Sequence, residues 1–231
     1  MVEKSFFDVI AIIPARAHFD KIEQLNMKEL GGKPLIYYAI QEARKSKFID
    51  KVFVSTEDKK IANFSKKNGA RISYIRPKKL TKKNILTDEV VKDFLKKNKI
   101  KTKIIVTLLP NAPFMKVETI DKIIALFKKS KSDRIYSVKK IKSSIWKSQN
   151  KKDFFNISSG QKSDKNPFLE VAGGIFVSNL DYYFKKGKKK TLLYINNEIE
   201  ALMIQSVFDL IVADRLIDID QTILLEMVKS R

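Results

Sequence analysis

The chain has 231 residues, 44% of them hydrophobic, enough for one large domain with a sizeable core. It contains no cysteine, which excludes a disulfide framework, a thiolate nucleophile and a cysteine metal site. Lys and Arg number 47 against 26 Asp and Glu, a formal net charge of +21, yet only seven of the basic residues are arginine.

Nucleic-acid recognition draws on arginine forks and exposed aromatics. The scattered lysines read instead as solvated faces that favour small anionic substrates, and no nucleic-acid partner is expected. No apolar run reaches membrane-spanning length. The opening Met-Val-Glu-Lys-Ser lacks the basic-then-apolar order of a secretory signal, so a cytoplasmic location with no membrane partner is expected.

Val9 to Ile13 is a short, β-branched apolar run stopped by Pro14, as in a strand buried on both faces. The polar loop behind it ends at Gly31-Gly32. A one-sided helix follows over Pro34 to Ser46, with apolar residues at Leu35, Ile36, Ala39, Ile40 and Ala43. Lys51 to Thr56 reads as the second strand, and Lys59 to Asn68 as a helix stopped by Gly69. Ala70 to Ile75 reads as a short strand closed by Arg76-Pro77. After a charged loop, Thr87 opens a helix with an N-cap signal.

Lys103 to Leu109 is the most apolar strand, and Val117 to Lys129 an amphipathic helix. Strands alternating with helices predict an α/β protein, a mixed, mostly parallel sheet between helix layers. Arg134 to Val138 is strand-like, and residues 139–169 read as an excursion from the core. Val171 to Val177 returns to strand, and its Gly173-Gly174 predicts close approach of another group to the backbone. A lysine-rich loop over Lys185 to Lys190 precedes a helix over Glu198 to Ser206 and the apolar Leu210 to Ala213. Extended Ile217-Asp-Ile-Asp220 puts two carboxylates on one face, and a last helix spans Thr222 to Val228.

Ile12-Ile-Pro-Ala-Arg16, Asn26, Gly32-Lys-Pro-Leu-Ile36 and Val54-Ser-Thr56 together resemble the opening motifs of the acylneuraminate cytidylyltransferase family. These are CMP-sugar synthetases for sialic, legionaminic, pseudaminic and related acids. The resemblance implies a three-layer α/β/α, Rossmann-like nucleotidyltransferase fold in a single domain over 1–231. It implies transfer of CMP from CTP to a nonulosonic, sialic-acid-like sugar with release of pyrophosphate. A homodimer formed through the 139–169 excursion would follow from the same resemblance.

Residue by residue, Arg16 matches a phosphate-contacting arginine, while Asn26 and Arg76 match nucleotide-binding positions. Asp218 and Asp220 match a pair that holds Mg²⁺, or Mn²⁺ in its place. Lys21 is the nearest substitute for a catalytic loop lysine, and Lys116 and Lys162 fall near positions that contact the sugar acid. Several positions depart from the family pattern. Phe19-Asp20 stands for Ser-Lys, the loop glycines are missing, and Leu25 stands for a lysine. Leu109 stands for a glutamine, Met115 for an arginine, and Glu170 for another arginine. These departures hold open a second reading, a catalytically impaired paralogue that keeps the fold and binds a nucleotide or partner protein.

Overall fold

The computed structural model describes residues 6–18, 22–82, 84–148, 154–158, 167–217 and 219. The chain opens with β1 (Phe6–Pro14), a loop, the two-residue pair β2 (Glu29–Leu30) and β3 (Lys33–Pro34), then α1 (Leu35–Lys45). β4 (Lys51–Ser55), α2 (Lys59–Lys67), α3 (Thr87–Asn98), β5 (Lys101–Leu108), α4 (Val117–Lys129) and β6 (Arg134–Lys140) continue the alternation. A small hairpin, β7 (Trp146–Ser148) and β8 (Phe154–Asn156), leads to β9 (Leu169–Asn179), α5 (Leu180–Phe184), β10 (Thr191–Ile195) and α6 (Val207–Ile217).

Six strands form the central sheet in the order β10-β6-β9-β5-β1-β4. β1 pairs in parallel with β4 and β5, and β10 pairs in parallel with β6. β9 alone runs against its neighbours β5 and β6. The sheet is therefore mixed and mostly parallel, as the alternating pattern predicts.

β1 shows why the domain has three layers. Its side chains alternate, so Val9, Ala11 and Ile13 pack under α1, α2 and α4 with Ile36, Ile61 and Ile120. Ile10 and Ile12 face the other way, against Phe94 of α3 and Tyr183 of α5. A third apolar cluster (Leu25, Leu30, Leu35, Phe114, Ile204 and Ala213 among its members) joins the loop after β1 to α6.

Three local expectations change. Residues 70–75 form no strand, only one parallel bridge between Phe53 and Arg71, because the segment lies outside the edge strand β4 with exposed residues on every second position. Thr87 is the first helical residue of α3 rather than its cap. Glu89 accepts the Leu86 N–H at 3.1 Å and so closes the helix end from inside. Glu198 to Ser206 is a turn followed by irregular chain, and Leu210 to Ala213 belongs to α6. The expected helix over Thr222 to Val228 lies outside the described residues.

Gly173 and Gly174 adopt φ of +77° and +62° at the bulge where β9 shifts register against β6. A Cβ on Gly173 would lie 2.0 Å from the Asn196 amide, and one on Gly174 2.8 Å from the Ala112 Cβ. The close approach predicted for this pair is thus present on both sides.

Candidate functional site

β1 and β5 end side by side, and the chain leaves both ends as loops. Open parallel sheets bind ligands at that edge, and here it holds a cavity of about 660 Å³. Pro14 and Arg16 come from the end of β1, Leu109 to Asn111 from the end of β5, and Asn26 from the β1 loop. The opposite wall comes from Arg76 and Lys82 in the strap before α3, and from Thr87 and Val90 in α3 itself. The structure therefore brings Arg16, Asn26 and Arg76 to one cavity from three separate segments.

Local hydrogen bonds fix these three. Ala15 N–H donates to the Ser55 carbonyl at 2.9 Å, extending the β1–β4 pairing past Pro14. Beyond it, the Ala17 N–H donates to Glu57 at 2.7 Å, and the other Glu57 oxygen accepts from Arg76 Nη2 at 2.6 Å. Both side chains of that ion pair are buried, 2% exposed for Arg76 and 9% for Glu57. Arg76 N–H donates to the Thr56 carbonyl at 2.8 Å. Its Nε, buried at the cavity wall, has no hydrogen-bond partner among the described residues, which leaves a donor to offer a ligand. Asn26 Nδ2 donates to the Arg16 carbonyl at 2.7 Å, holding the loop's return against its start.

The α3 wall is braced from behind. Arg134 Nη1 reaches both Asp88 oxygens at 2.7 Å, one residue into α3 from Thr87. Its guanidinium is enclosed by the rings of Tyr136, Tyr182 and Phe176, 4.4, 4.4 and 4.9 Å from their centroids. Tyr182 also donates to Asp88 at 3.0 Å, and burial pushes its phenol well above the ordinary range. Glu57, Arg134 and Asp88 do not emerge from the sequence reading. For Glu57 a signal exists: an acid at the end of a parallel strand, within reach of the Arg76-Pro77 turn.

A second, smaller cavity of about 230 Å³ opens beside the first and shares Met203 and Gln205 with it. Its rim carries Lys139, Glu170, Glu198 and Asp209. Glu170 pairs with Lys139 at 3.2 Å and Glu198 with Lys142 at 2.5 Å.

Lys116 lines neither cavity. It sits at the N-terminus of α4, where its N–H donates to Glu200 at 3.3 Å. Glu200 is buried and also accepts from Thr119 Oγ1 and Asn197 Nδ2, at 2.8 and 3.0 Å. Burial raises its carboxyl above the usual range. Leu25 and Met115, at positions where the resembled family carries cations, are both buried in apolar clusters. Lys21, Lys162, Asp218 and Asp220 lie outside the described residues.

Magnesium seeks hard oxygen donors, usually one or two carboxylates with phosphate oxygens and water. Among the described residues, no Asp or Glu lines the larger cavity. Its oxygen-bearing side chains are amides and a hydroxyl, Asn26, Asn111, Gln205 and Thr87. The described wall does not fit a protein-held magnesium ion.

Fold and cavity together define an α/β protein with a mixed, mostly parallel sheet and two adjoining chambers, the larger at the strand ends. The sequence model of the cytidylyltransferase family matches residues 10–171, and the chain belongs to that family. It is 26% identical over 230 residues to the CMP-N,N'-diacetyllegionaminic acid synthase of Legionella pneumophila, covering 92% of this chain and 97% of that protein. A pseudaminic acid cytidylyltransferase of Campylobacter jejuni is 38% identical over 72 residues, 31% of each chain. Among solved structures, a CMP:2-keto-3-deoxy-manno-octonic acid synthetase complexed with CTP superposes with a TM-score of 0.68 at 12% identity, over 91% of this chain and 98% of that one. At that identity the superposition shows the fold.

Proposed function

We propose that the larger cavity binds CTP and the smaller one a nonulosonic sugar acid, and that the chain transfers CMP from the first to the second. In that transfer an acceptor hydroxyl oxygen bonds to the α-phosphorus, the bond to the β-phosphate oxygen breaks, and pyrophosphate leaves. The observation that carries the reading is the convergence of Arg16, Asn26 and Arg76 on one chamber that adjoins a second. Arg16 and Lys82 supply positive charge for the triphosphate, and the Arg76 Nε supplies a fixed donor. Since the reaction is mainly placement and charge stabilisation, the braced walls matter as much as the charges.

The acceptor class is drawn from the legionaminic and pseudaminic acid relatives. A homodimer is part of the same proposal. It is supported by the exposed Trp146 on the β7–β8 hairpin and by exposed Leu192, Leu193 and Ile195 on the edge strand β10. No helix among the described residues is long and apolar enough to cross a membrane, in keeping with the cytoplasmic location we propose.

The test is pyrophosphate release from CTP with a panel of sialic, legionaminic and pseudaminic acids. Release with at least one acid, dependent on Arg16, supports the reading. CTP binding with no release from any acid favours the impaired paralogue.

A further inference from the structure

The two chambers meet at Met203 and Gln205, and this junction has an unusual chemistry for a nucleotide transferase. The segment belongs to no helix or strand and is firmly placed. Ile204 between them is fully buried among Leu25, Leu30 and Phe114. Its N–H donates to the Asn111 carbonyl at 2.8 Å, and Asn111 Nδ2 donates back to its carbonyl at 3.0 Å. On the far side, Asp209 accepts the N–H groups of Gln205 and Ser206 at 2.9 and 2.8 Å, starting α6. Ile204 turns into the core while both neighbours line the chambers.

Those neighbours are a thioether and a neutral amide. The alternating carboxylates foreseen at Asp218 and Asp220 come only after α6. Its last residue, Ile217, packs on the β2–β3 turn, where a Cβ on Gly31 would lie 3.1 Å from its side chain. The 11 residues of that helix separate Ile217 from the junction by roughly 16 Å of axis. Among the described residues, the charged side chains that line the larger cavity are all cationic: Arg16, Arg76 and Lys82.

We propose that this cavity takes its nucleoside triphosphate as the free anion, with no divalent cation held by the protein at the junction, and that Gln205 is the polar group facing the phosphates there. The proposal rests on reading the cavity as a nucleotide site. A thioether is a poor ligand for a hard cation, and an amide oxygen carries no formal charge to offset its dehydration. Magnesium also cancels part of the triphosphate charge that a cationic cavity attracts. Metal-free CTP therefore binds at least as well as its magnesium complex, and Arg16 and Lys82 meet the charge that departs with pyrophosphate.

Calorimetric titration of CTP into the full chain, in EDTA and then in excess MgCl₂ at matched ionic strength, tests this. The expected dissociation constants agree within about threefold, or weaken with magnesium. Gln205→Asp, which restores a carboxylate to the junction, is expected to bind CTP at least ~10-fold more tightly with magnesium than without.

Tightening of the parent by more than about tenfold with magnesium overturns the proposal, and its loss in Asp220→Asn would assign the metal to that residue. Failure of Gln205→Asp to gain magnesium dependence overturns the placement of Gln205 at the phosphates. Absence of CTP binding by the parent in both conditions refutes the nucleotide reading itself, a result distinct from either.

Discussion

Replacing Arg76 by methionine isolates what holds the nucleotide cavity together. Methionine restores most of the apolar volume, so the cost comes from Glu57, left as a buried carboxylate with the Ala17 N–H still on it. Breaking a buried ion pair from one side costs about 3–5 kcal/mol. For a chain of this size that corresponds to a fall in Tm of roughly 6–20 °C. The companion variant Glu57→Gln removes the charge, and the double variant should recover part of the loss, with a coupling of about 1–3 kcal/mol. Urea denaturation followed by circular dichroism, run on all four proteins at neutral pH, gives the cycle. CTP affinity should fall in both variants that lack Arg76, because the Nε donor is gone whatever happens to stability. A loss below about 1 kcal/mol, or strict additivity, would show that the pair does not brace the cavity.

Leu25→Lys restores a cation found in the resembled family, but here it enters a fully buried apolar site. We expect a loss above about 3 kcal/mol in urea denaturation with no gain in CTP affinity; a stable variant with tighter binding would contradict the placement of Leu25. Gly174→Ala forces a Cβ to 2.8 Å from Ala112 at φ +62°, and should cost about 1–3 kcal/mol in the same assay. Glu200 holds its proton to higher pH in the native state than its ordinary value of 4.5. Its stabilisation is therefore fully present below that pH and is lost as pH rises through the native value. Glu200→Gln stays neutral, so the parent should lose Tm relative to it between pH 4.5 and neutrality. A Tm difference independent of pH would show that Glu200 does not titrate this way.

Most of the sheet was legible because its strands are short β-branched runs with stops. β1 and β5 differ from their expected spans only at their ends, and α4 coincides with its apolar period. The region over 198–206 misled for a physical reason. Its apolar residues at Ile199, Ala201, Leu202, Met203 and Ile204 suit a helix, yet Asn197 accepts the Glu200 N–H and closes a turn instead. A readable signal lay just beyond: Ser206-Val-Phe-Asp209 is a capping box, with Asp209 accepting the Ser206 N–H and Ser206 Oγ accepting the Asp209 N–H at 3.2 Å. It starts α6 at Val207 and leaves Met203 and Gln205 outside the helix, lining the cavity.

At the site, Arg16, Asn26 and Arg76 stand out in the sequence because each ends or interrupts an element. The Glu57 brace and the Arg134–Asp88 anchor were not legible, since they join residues 19 and 46 positions apart through folding alone. β10 was missed because its apolar residues follow directly on a lysine run, and as an edge strand it keeps Leu193 and Ile195 exposed.

A crystal structure of the chain grown with CTP tests the central claim most directly. The account predicts the triphosphate at the carboxyl ends of β1 and β5, within hydrogen-bonding reach of Arg16 and of the Arg76 Nε, with the α-phosphate toward Gln205. CTP bound elsewhere on the surface, with this cavity still filled by water, would contradict it.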